Sequence, residues 1–183
     1  MTNTIKALLL ATSLSTASVA MAANPQVGGA DMFETRNIVE NAVNSADHTT
    51  LVAAVQAAEL VETLQSAGPF TVFAPVNDAF AALPAGTVDT LLKPENKALL
   101  QKVLTAHVVA GNMSTAQIAA RARASAGGFY HFNAVSGDAL SAQVRGRNLY
   151  IYDESGNAAR VTISDVVQSN GVIHVVNTVL VPK

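Results

Sequence analysis

The chain reads as a single α+β domain in which helices come first and a mostly antiparallel sheet follows. Between residues 32 and 128, apolar residues recur at helical spacing, interrupted by short β-branched runs. From Phe129 onward, Val, Tyr, Ile and Thr alternate with polar residues, and a turn signal recurs every few positions. Helices segregated from strands in this way argue against an alternating parallel-sheet enzyme fold. The 183 residues suffice for one domain built around one core.

The first residues have the parts of a secretory signal: Lys6 in a short polar start, an apolar run from Ala7 to Leu14, and small residues ending in Ala20-Met21-Ala22. The run is far short of the roughly 20 apolar residues a membrane span needs. Residues 1–22 are therefore expected to be a signal peptide cleaved after Ala22. Cleavage removes Lys6 and no acid, so Lys+Arg falls from 11 to 10 against 13 Asp+Glu, and the net charge goes from -2 to -3. No basic patch remains to carry a nucleic-acid partner. With no cysteine, neither disulfides, thiolate chemistry nor a cysteine zinc site is available. The product is expected to be periplasmic or secreted (extracellular), with no membrane span.

Residues 23–31, with Pro25 and Gly28-Gly29, read as a flexible leader, and the domain is expected over 32–183. Ile38, Val39, Ala42 and Val43 form one helical stripe, and Leu51, Ala54, Val55 and Ala58 form another after Thr49-Thr50. A short helix through Leu60, Val61 and Leu64 ends at Gly68-Pro69. Phe70 to Ala74 is a buried strand stopped by Pro75, and Asn77 is placed to cap a helical turn over Ala79 to Leu83. Helices are expected over Thr87–Leu92, Glu95–Leu104 and Thr115–Ala124, the last capped by Ser114, with a short strand at His107–Val109. Strands are expected at 129–133, 140–145, 148–152, 159–163 and 171–176, separated by Gly137, Gly146, Gly156 and Asn170-Gly171.

The chain carries few motifs of catalytic or metal chemistry. His48, His107, His131 and His174 show no metal-ligand spacing, and the strand histidines read as hydrogen-bonded structural residues. No Gly-x-Ser-x-Gly elbow supports a hydrolase, and Gly127-Gly128 lacks the lysine of a phosphate loop. Asp153-Glu154 beside Gly156 reads as a solvated hairpin turn in place of a calcium loop. No cofactor is expected.

Three segments together resemble the fasciclin domain family. FTVFAPVNDAF at 70–80 is similar to its first signature block, Ala106-His107-Val108-Val109 stands where a Tyr-His motif is usual, and NGVIHVVNTVLVPK at 170–183 is similar to its second. The stretch from Asn37 to Leu64 looks like its opening helices. The resemblance implies a β-wedge of mostly antiparallel strands surrounded by helices. It also implies a role in adhesion or matrix contact without catalysis, with a cell-surface or matrix protein or a polysaccharide as partner. Some fasciclin-like proteins bind carotenoids, so a carrier of an apolar ligand such as a carotenoid or lipid is the alternative.

In animal members an Asp-Ile pair before the second block is associated with integrin binding, and Asp165 and Val166 match it here. The structural reading of this pair is a helical turn with Asp165 capping and Val166 in the core. Phe73, Asn77, Asp78, His107, Asn170, Gly171 and His174 form the structural motif, with His107 expected to bond toward the Asn77-Asp78 turn. Ala106 replaces the usual Tyr, and Val76 stands where Thr is common.

Overall fold

A computed structural model describes residues 24–183. The expected signal peptide, 1–22, lies outside the described residues. The elements are β1 (Gln26–Val27), β2 (Ala30–Asp31), α1 (Ile38–Ala42), α2 (Thr49–Ala57), α3 (Val61–Gln65), β3 (Phe70–Pro75), α4 (Asn77–Ala81), α5 (Thr87–Leu91), α6 (Lys97–Thr105), β4 (Val108–Ala110) and α7 (Thr115–Ala124). Then come β5 (Phe129–Asn133), β6 (Ala139–Arg145), β7 (Asn148–Tyr152), β8 (Ala158–Gln168) and β9 (Gly171–Val176). Helices precede strands, as the periodicity predicts, and the domain is α+β.

The helices are too short to be stable alone and depend on caps and packing. Asn37 Oδ1 accepts the Glu40 N–H at 2.9 Å while Glu40 Oε2 accepts the Asn37 N–H, a capping box that starts α1. Ser114 and Gln117 do the same for α7.

Seven strands form one sheet in the order β4-β3-β9-β8-β7-β6-β5, and β3–β9 is its one parallel pair among the described residues. β8 joins the two halves of the wedge. Its residues 158–160 pair with β7, and 161–168 pair with β9. Two register shifts between Val161 and Val166 bend it there, as bulges do. The expected strand 159–163 thus runs on to Gln168, because the bulges break the alternation that would have marked its continuation.

The expected single core is two. On one face of the β3–β9 pair, Val72, Ala74, Ile173 and Val175 pack under α1 to α6. On the other face, Phe73 and Val176 join Ile118 of α7 and Leu140, Ala142 and Ile151 of the β5–β8 half. Phe73 pairs with His174 and Val72 with Ile173, so Phe73 and Ile173 sit on neighbouring strands but point into different cores.

Residues 26–31, expected as a flexible leader, form the β1–β2 hairpin instead. Gly28 and Gly29 take positive φ, +59° and +76°, which a two-residue hairpin loop requires, and Val27 is buried against the helical core.

Candidate functional site

The Asp165-Val166 segment is a bulge in β8 and not the helical turn expected from the sequence. Asp165 adopts the left-handed conformation with φ +57°, which Asp tolerates better than most residues. Its Oδ1 accepts the Thr115 N–H at 2.8 Å and its other oxygen accepts the Thr115 hydroxyl, so it caps the N-terminus of α7. Val166 is fully buried in the helical core, so its side chain anchors the bulge from within. Asp165 itself and Val167 face solvent.

Beneath the bulge, His174 is fully buried. The Asp165 N–H donates to its Nδ1 at 3.1 Å, which fixes the proton on Nε2, and that Nε2–H donates to the Met113 carbonyl at 2.8 Å. Met113 in turn donates its N–H to Thr71 Oγ1, whose hydroxyl donates to the Gly111 carbonyl. Burial holds His174 below the ordinary histidine range, with the Met113 carbonyl and Asp165 opposing in part.

His107 has the opposite tautomer. Its Nε2 accepts the Leu180 N–H at 2.9 Å, so Nδ1–H donates to the Val103 carbonyl at 2.8 Å. Burial pushes its pKa down to about 4, against smaller upward effects of the Val103 carbonyl and Asp153. It does not reach the Asn77-Asp78 turn. One ring nitrogen is committed to the last turn of the preceding helix, α6, and the other to the C-terminal segment.

Asn77 caps a different helix from the one expected. Its Oδ1 accepts the Thr50 N–H and the Thr49 hydroxyl at the start of α2, and its Nδ2 donates to the Ala46 carbonyl. Asp78 is exposed in the first turn of α4. Asn170 Oδ1 accepts the Ile38 N–H at the start of α1, and its Nδ2 donates to the Leu64 and Ser66 carbonyls at the end of α3. Gly171 lets β9 approach β3: a Cβ there would stand 2.1 Å from the Phe70 carbonyl oxygen. Asp153, expected in a solvated turn, is buried, accepting from Asn157 and from the Val181 N–H.

Two further features come from the fold. A cavity of about 110 Å³ lies between the helices and the β3–β9 pair, walled by Val27, Met32, Leu51, Val55, Leu104 and Ile173 among others. His48 stands on its wall, bonded through Nδ1 to the Ser45 hydroxyl at 2.8 Å, with Nε2 buried and without a hydrogen-bond partner. Burial lowers its pKa. The Ala74 carbonyl offsets part of that effect without making a hydrogen bond of normal geometry.

The second feature is the outer face of β5 to β8, opposite the face that meets α7. Phe129, Gln143, Tyr150 and Arg160 align across four strands in register. The sequence reading missed this row. Its trace was the alternation of Phe129 with His131 and of Tyr150 with Tyr152, and only the register makes a surface of it.

Among the described residues no three His, Asp or Glu side chains converge to hold a metal ion, and no helix is long and apolar enough to cross a membrane.

The sequence profile of the fasciclin domain matches residues 46–182. Protein sll1483 of Synechocystis sp. is 50% identical over 145 residues, covering 79% of this chain and 73% of that protein. Transforming growth factor-beta-induced protein ig-h3 of Sus scrofa is 38% identical over 132 residues, covering 72% of this chain and 17% of the much longer relative. Among solved structures, a FAS1 domain pair from the insect cell adhesion molecule fasciclin I superposes with a TM-score of 0.70 at 15% identity, over 79% of this chain and 50% of that one.

Proposed function

This chain belongs to the fasciclin domain family, and from that premise we propose that it is an exported, non-enzymatic binding module working in adhesion or matrix contact, periplasmic or released. One observation carries the reading: His107, His174 and Asp165, the motif residues best suited to chemistry, are spent on the fold. Both ring nitrogens of His107 and of His174 are engaged by backbone groups. The Asp165 carboxylate is a helix cap. What is left to meet a partner is the surface.

In this reading Asp165 and Val166 contribute to binding as a shaped bulge. Val166 holds it from inside, and Asp165 presents the edge shared with Thr115. The test incubates the exported protein with cell-envelope polysaccharide, surface proteins and matrix, beside an Asp165→Ala, Val166→Ala variant. Saturable binding supports the reading, and its absence with every material contradicts it.

The cavity favours a second reading, a carrier of an apolar ligand. At about 110 Å³ it approaches the ~150 Å³ apolar cavity known to stay dry and take up benzene. It would hold a ring or short chain, and a whole carotenoid only if the helices parted. Native mass spectrometry of protein purified from its own cells should then show a bound apolar molecule. A bare chain that takes up neither benzene nor a short-chain alcohol contradicts the carrier reading.

A further inference from the structure

The outer face of β5 to β8 is built as a rigid aromatic and cationic platform. Phe129 stacks on His131 with ring centroids 6.3 Å apart and meets Tyr152 edge-on at 5.7 Å. The Arg145 guanidinium lies over both Tyr152, at 5.3 Å, and Tyr150, at 5.7 Å. Gln143 Oε1 accepts from Arg145 Nε at 2.7 Å and from the Tyr152 hydroxyl at 3.3 Å, so the arginine is oriented before any partner arrives. Arg147 follows in the turn after Gly146, and Arg160 ends the row on β8.

Charge is distributed unevenly. The chain as a whole is net negative, yet Arg145 and Arg160 stand on this face and Arg147 in the turn that adjoins it. No Asp or Glu stands at the outward positions of β5, β6 or β7. Glu154, which accepts the Ala139 N–H at 2.9 Å, stands at the edge of the face, which still carries a local excess of positive charge.

We propose that this face binds an acidic polysaccharide, a chain of sugar rings bearing carboxylate or sulfate groups. The flat rings of Tyr150, Tyr152 and Phe129 suit the C–H faces of sugars, while amide and hydroxyl groups such as Gln143 and Ser141 suit their hydroxyls. The arginine forks match carboxylates in two-point geometry. Because Arg145 is already held by tyrosines and glutamine, little side-chain entropy is lost on binding. A nucleic acid fits less well: its affinity comes chiefly from cations that neutralise many phosphates, and this face offers two arginines, with a third in the adjoining turn, on a negative protein. The proposal rests on the binding-module reading and gives it a surface and a partner class.

The test measures binding of the exported full-length product to alginate, a polyuronate, with neutral dextran and a single-stranded oligonucleotide as comparison probes. Arg145→Gln, Arg160→Gln and Tyr152→Ala are compared with wild type, and Lys93→Gln, at an exposed position among the helices, serves as a change of the same charge outside the face. Thermal unfolding verifies that each variant is folded, with Tyr152→Phe standing in if Tyr152→Ala is not. Saturable alginate binding is expected, weakened by salt, with dextran at least about tenfold weaker and each face variant losing about tenfold. Lys93→Gln should bind as wild type. Alginate binding that is unchanged in all face variants, or tighter binding to the oligonucleotide, overturns the proposal while leaving the binding-module reading intact if envelope material still binds. No binding to any material defeats both.

Discussion

Asp165 Oδ1 accepts the Thr115 N–H at 2.8 Å across a sequence separation of 50 residues, so a carboxylate on a bulged strand caps the helix that covers the second core. The same residue donates its own N–H to His174 in the adjacent strand. One bulge thereby fixes the relative position of β8, β9 and α7. The matched pair Asp165-Val166 is built into the scaffold from both sides, and any partner it meets meets a rigid edge.

Asp165→Ala should destabilise the domain by about 1–2 kcal/mol, from the lost cap and from alanine's reluctance to take positive φ. Asp165→Asn keeps an acceptor and tolerates that conformation, so it should cost less. Urea denaturation of the two variants checks this, and equal midpoints for both would remove the cap from the account.

Val166→Ala truncates a side chain with no solvent exposure and should cost about 2 kcal/mol. Val167→Ala, at 41% exposure, should change stability by less than about 0.5 kcal/mol. The same denaturation assay separates them, and a reversed order would mean that the bulge places these neighbours the other way round.

Gly171→Ala brings a methyl to 2.1 Å from the Phe70 carbonyl oxygen in the parallel pair between the two cores. Backbone on both sides leaves little room to yield, and a loss of about 3 kcal/mol is expected. Thermal unfolding near the wild-type temperature would show that the strands can part without cost.

Stability should fall as the solution is acidified from about pH 6.5 toward 4. The unfolded chain binds a proton at His107 near the ordinary histidine value of 6.5, whereas the folded chain resists it down to about 4. The unfolded state therefore carries more protons in that window, and stability rises with pH through it. The full effect at neutral pH is on the order of 3 kcal/mol, present above the unfolded value and gone below the folded one. His48 and His174, also lowered by burial, act in the same direction. NMR titration of His107 giving an ordinary histidine value would contradict this.

Much of the fold is legible in the chain because its central strands are buried on both faces. FTVFAP and GVIHVV read as unbroken apolar runs, which is what strands between two packed layers look like. The same runs held the reason for two cores, since alternate residues of each must face opposite ways. The leader was misjudged because Gly28-Gly29 counts equally as linker or hairpin loop, and the buried position of Val27 decides between them. Asn77 could not be assigned correctly from local pattern: the helix it caps begins 28 residues earlier. The aromatic–arginine face was hidden for a related reason. Phe129, Gln143, Tyr150 and Arg160 lie on four strands, and nothing short of the register sets them side by side.

Buried polar residues hold the domain, and the outer face of β5 to β8 is the proposed binding surface. Backbone amide shifts followed by NMR during titration with alginate test it most directly. Perturbed amides should cluster in residues 129–133, 141–152 and around Arg160. Shifts centred on the walls of the cavity, or scattered with no centre, would contradict it.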